Sequence, residues 1–148
     1  LHLPPNIAAV TGITILAGYA LRNVWLALLV PIAAMALADV VLGWYPGVLV
    51  TYAGMAAGVF IARALLTKLT VLRLGGAVFF ASLAFFILSN FGTWLEGWYG
   101  YTFEGLIACF VAAIPFWQNS LIADFTSTAL AFGLFLLARR TYTAGAKA

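Results

Sequence analysis

Long apolar runs broken by short polar or glycine-rich connections set the pattern of this chain, with runs at residues 7–21, 24–42, 48–66, 72–89, 103–117 and 121–137. Each reads as a membrane helix, since a spanning helix uses roughly 20 residues. Arg22-Asn23 ends the first run. Pro31 lies inside the second, where a membrane helix tolerates it because neighbours re-satisfy the freed carbonyl. The turn Gly43-Trp44-Tyr45-Pro46-Gly47 joins chain breakers to interfacial aromatics, and a connection bearing Arg63, Lys68 and Arg73 separates the third and fourth runs. Residues 90–104 are rich in glycine and aromatics, Pro115 stops the fifth run, and Arg139-Arg140-Thr141-Tyr142 follows the sixth.

Composition fixes the solvent for these runs. The chain is 66% hydrophobic and 7% charged, with a mean hydropathy of +1.11, so its surface cannot be covered for water and the partner is a lipid bilayer. Its 148 residues leave room for one compact all-α domain. The net charge of +3 reads as basic anchoring near anionic lipid, and nothing points to nucleic acid. Cys109 is alone in an apolar run, which excludes an intrachain disulfide and a multi-cysteine metal site. It reads as a small buried hydrophobe, with a thiolate ligand to a metal-containing cofactor such as a cobalamin as a minor alternative. The opening Leu1-His2-Leu3-Pro4-Pro5 has no initiator methionine, and a further helix is expected upstream.

Charge then orders the elements. Asp39, Glu96, Glu104 and Asp124 fall beside Trp44, Tyr45, Trp94, Trp98, Tyr99, Tyr101 and Trp117, while Arg22, Arg63, Lys68, Arg73, Arg139, Arg140 and Lys147 fall in other connections. Six full crossings would place the basic connection at 63–73 and the basic tail on opposite faces, against the positive-inside rule. The run at 103–117 is about 22 Å of helix, short of the ~30 Å hydrocarbon core. Five crossing helices plus one short outer or re-entrant helix are therefore expected, with the tail cytoplasmic and the acidic, aromatic connections external. The small-residue pairs Ala8/Gly12, Ala34/Ala38, Ala53/Ala57 and Gly54/Gly58 suit close helix packing inside the bundle, or a docking groove for a partner.

Candidate chemistry gathers at the acidic level. Asp39 faces a cavity, or snorkels from the end of its helix. Asp124 lies about a turn inside the last run, beyond what capping by Asn119 or Ser120 explains. Trp94, Trp98 and Tyr101 serve either as a stacking wall for a flat ligand or as an interfacial belt, and Asn90 needs partners that a ligand or neighbouring helix must supply. The single histidine, His2, is terminal, so histidine-based catalysis or metal binding cannot be assembled and no enzyme is expected.

The blocks Leu3-Pro4-Pro5-Asn6, Ala17-Gly18-Tyr19-Ala20, Ala38-Asp39, Asn90-Phe91-Gly92 with Trp94, and Ala112-Ala113-Ile114-Pro115-Phe116 before Asn119 and Asp124 resemble a family of uncharacterised bacterial integral membrane proteins. More distantly, the order of elements is similar to the substrate-binding S components of energy-coupling-factor vitamin transporters, particularly the biotin type. Those carry an Asp and a Lys shortly after Pro-Phe; here Trp117-Gln118-Asn119-Ser120 follows, which counts against biotin. The resemblance implies an inner-membrane binding protein that captures a small molecule externally and is driven by an ATPase module through a partner membrane subunit. The expected ligand-binding residues are Asn6, Asp39, Asn90, Trp94, Trp98, Tyr101, Asn119 and Asp124, with no cofactor. The rival expectation is a non-catalytic accessory subunit of a larger membrane complex.

Overall fold

A computed structural model describes residues 10–43 and 47–145, and every element in them is helical. The helices are α1 (Val10–Ala20), α2 (Val24–Leu42), α3 (Val48–Leu65), α4 (Val71–Leu95) and α5 (Phe103–Gly145). Of these, α2 to α5 are each long and apolar enough to cross a bilayer, and α1 is a shorter apolar helix. Exposed Trp25, Leu29, Leu37, Val40 and Val41 along α2 are what a lipid-facing helix presents. Asn6, Ala8, Trp44, Tyr45 and Lys147 lie outside the described residues.

Local chemistry sets the helix starts. The Asn23 side chain accepts from the backbone N–H of Trp25 and Leu26, and the Thr70 hydroxyl accepts from that of Arg73, so each cap satisfies donors that the first turn leaves orphaned. Helix α4 runs past Ser89, where the apolar run ends, and the polar residues beyond find partners within the helix itself: Asn90 Nδ2 donates to Phe86 O at 2.7 Å and Thr93 Oγ1 to Ser89 O at 3.0 Å. It ends before Gly97, whose φ of +86° only glycine adopts readily.

The short outer or re-entrant helix expected at 103–117 is corrected by the structure. Residues 103–145 form one unbroken helix of 43 residues that contains Pro115. The proline removes one helical hydrogen bond, but packing on α4 straddles it. Phe86 meets Phe110 edge-to-face before the proline and lies tilted against Trp117 after it, at centroid distances of 5.5 and 5.0 Å. Both halves are thereby held in line on one neighbour.

Helices α1, α3, α4 and α5 pack as a ring, and α2 lies outside it against α1 and α3. The core of the ring is Ile15, Ala62, Leu66, Ala77, Val78, Ala81 and Phe132, on the side where α1 and α3 end. Small residues bring the backbones together there and above. A Cβ on Gly12 would lie 2.7 Å from the Ser127 carbonyl, and one on Gly18 would lie 2.8 Å from the Val59 carbonyl. Most of the small-residue signal is thus consumed inside the bundle, although Ala34 and Ala53 are exposed.

The charge sorting has a physical counterpart. Arg63 donates through Nη1 to Leu21 O at 2.8 Å and through Nη2 to Arg22 O at 3.0 Å, tying the end of α3 to the end of α1. Arg73 reaches back to Leu65 O and Thr67 Oγ1, so the basic connections share one face. On the other face the Gly47 turn lies against Glu96 Oε1.

Candidate functional site

Above the packed core, toward the acidic and aromatic face, the ring opens into a cavity of about 450 Å³. Helix α1 contributes Thr11 and Thr14, α3 contributes Gly54, Met55 and Gly58, and α4 contributes Ser82, Phe85, Phe86, Ser89 and Asn90. Helix α5 completes it with Ala113, Phe116, Trp117, Ser120 and Asp124. These α5 residues recur at helical spacing, so one stripe of the helix faces inward.

Asp124 is 8% exposed, with the side chains of Thr11 and Ser82 beside it. Trp117 Nε1 donates to Ser82 Oγ at 3.1 Å. An indole N–H only donates, so Ser82 accepts from Trp117 and directs its own proton to the carboxylate. The result is a short polar chain, indole to hydroxyl to carboxylate, set in an otherwise apolar wall. Thr14, 3% exposed and one turn along α1 from Thr11, has a hydroxyl with no hydrogen-bond partner in the described structure. A buried hydroxyl left unpaired costs roughly 1–3 kcal/mol. Its methyl group rests on Gly58, where a Cβ would come within 2.9 Å.

Phe85 and Phe86 form the α4 wall, and Phe85 packs closely on α3 because Gly54 has no side chain: a Cβ there would meet its ring at 2.5 Å. Room for the cavity therefore depends on a glycine on the facing helix.

One family model matches the chain from residue 1 to residue 145. The chain belongs to DUF6580, a family of unknown function. Neither a curated protein nor a solved structure matches it.

Of the residues expected to bind a ligand, this DUF6580 member brings two to the cavity, Asn90 and Asp124. Asp39 is buried on the side of α2 that meets α3, where its Oδ2 accepts from the Tyr52 hydroxyl at 2.6 Å. Trp94 stacks on Phe91 and donates to Thr102 O, closing the α4–α5 connection. Trp98 and Tyr101 are exposed, with Trp98 Nε1 on Glu96 Oε2 and Tyr101 edge-on to Trp94. This is the geometry of a belt. Asn119 is exposed on the outward side of α5. Asn6 lies outside the described residues.

Sequence reasoning missed Thr11, Thr14, Ser82 and Ser89. Their signal was there, as hydroxyls recurring at three- and seven-residue spacing within helices otherwise apolar. Cys109 is 2% exposed and its thiol donates to Asn90 O at 3.4 Å, so it packs between α5 and α4 without lining the cavity.

Proposed function

We propose that this chain is a membrane-embedded binding and uptake component for a small molecule, which it captures from the external face in the cavity between α1, α3, α4 and α5. One observation carries the reading: a volume of about 450 Å³, within the ~300–1,000 Å³ of ligand sites, combines aromatic walls with a few convergent polar groups. The polar groups are Asp124, Thr11, Thr14 and Ser82, and the stacking faces are Phe86 and Trp117. The positive-inside rule favours the arginine-bearing face as the cytoplasmic one, with the C-terminal tail inside, and the bacterial inner membrane is the location that the family resemblance implies. A binding component of this kind draws energy from a partner membrane subunit and its ATPase module, as in the S components that the order of helices resembles.

Native mass spectrometry of the detergent-purified chain tests the reading. The wild type is expected to release a bound small molecule, and Ala113→Phe, which fills the cavity from α5, to reduce its occupancy at least tenfold while the protein stays folded. Stoichiometric capture in a large complex with no small molecule bound would instead establish an accessory subunit.

A further inference from the structure

The cavity has one acid and, among the described residues that line it, no basic side chain. Asp124 has hydroxyls for company, Thr11 and Ser82, and these neutral dipoles leave its charge without a counter-ion inside the bundle. A carboxylate at membrane depth ordinarily faces a cation or a water-filled path. Thr14 adds an independent mark: a buried hydroxyl on the cavity wall with lone pairs and a proton that no described group uses. Both groups accept hydrogen bonds, so the missing partner is a donor carrying positive charge.

The walls select its body. Phe86 and Trp117 lie 5.0 Å apart with planes inclined by 31°, and Phe85, Phe116 and Met55 extend the apolar lining. Aromatic faces attract cations through their negative quadrupole and stack on flat rings. A bare metal ion fits poorly, because no group of three or more His, Cys, Asp and Glu side chains converges among the described residues and the volume is that of an organic molecule.

Resting on the binding reading above, we infer that the ligand is a primary organic ammonium on an aromatic body, its N–H groups on Asp124 and Thr14 and its ring against the wall that Phe86 and Trp117 form together. The site discriminates by charge. An anion of the same shape meets Asp124 and no compensating base, and a neutral analogue lacks the ion pair.

Three indoles of matched shape provide the test: tryptamine, tryptophol and indole-3-propionate, measured by equilibrium dialysis against the purified full chain. Tryptamine is expected to bind at least tenfold more tightly than tryptophol, with indole-3-propionate weakest. Asp124→Asn is expected to erase the preference for tryptamine over tryptophol. Thr14→Val should weaken tryptamine several-fold. Equal binding of the three indoles by the wild type would overturn the charge assignment and leave the binding protein standing. Failure of all three to bind at millimolar concentration would overturn both.

Discussion

Two buried acids, Asp39 and Asp124, look alike in sequence and do different work. Asp39 is 1% exposed and accepts from Tyr52 across the α2–α3 contact, whereas Asp124 turns into the cavity with hydroxyls around it. Cross-helix hydrogen bonds in membranes contribute about 0.5–1 kcal/mol, because the unfolded chain also finds partners. Tyr52→Phe is therefore expected to lower unfolding stability by about that much in a detergent titration, and to leave small-molecule occupancy unchanged. Release of the bound molecule by this variant would return Asp39 to the site. The sequence made both acids visible by their cost in an apolar run. It could not give their rotation about the helix axis, since a helix apolar on every side has no hydrophobic phase: lipid and bundle interior ask for the same side chains. Asn90 and Asp124, which line the cavity, were legible in the sequence, and Thr14 and Ser82 were hidden because small hydroxyls sit in apolar runs without disturbing them.

At the scale of the helix, Pro115 and the glycines show where tertiary packing overrides local preference. Proline marked an end to the run at 103–117, and that signal was sound locally, but contacts to Phe86 from both sides of it keep α5 continuous. Such long-range support is invisible in the neighbouring residues. The glycines invite a comparison of opposite sign. Gly12 faces the Ser127 backbone, which cannot yield, so Gly12→Ala must separate α1 from α5 at a cost of about 1–3 kcal/mol or more. Gly133, on the same α5, has nothing within 4 Å of the position a Cβ would take, and Gly133→Ala should gain up to about 1 kcal/mol in helix propensity. Thermal unfolding of the two variants in one detergent checks the pair. Equal shifts would mean that the α1–α5 seam has room for a methyl group between Gly12 and Ser127.

Across the whole molecule the charge pattern was the most legible feature, because seven basic residues and four acidic ones in so apolar a chain are costly to misplace. Arg63 on the Leu21 and Arg22 carbonyls and Glu96 beside Gly47 put the two sets on two faces. The unbroken α5, about 64 Å long at 1.5 Å per residue, gives one passage from the acidic face to the basic one, as the sorting requires. Single cysteines at Lys68 and Gly100, in a Cys109→Ser background, should label with a membrane-impermeant maleimide from opposite sides. One introduced at Thr143 should share the side of Lys68. A Thr143 label on the Gly100 side would mean an odd number of crossings after Lys68, as two separate spans at 103–117 and 121–137 would give. The packed layer of Ile15, Ala62, Val78, Ala81 and Phe132 beneath the cavity has a further meaning for passage. It makes the protein a cup rather than a tunnel: whatever settles in the hollow has no way down until the floor or the whole cup moves, and vesicles bearing the chain alone should hold a proton gradient as well as bare ones do.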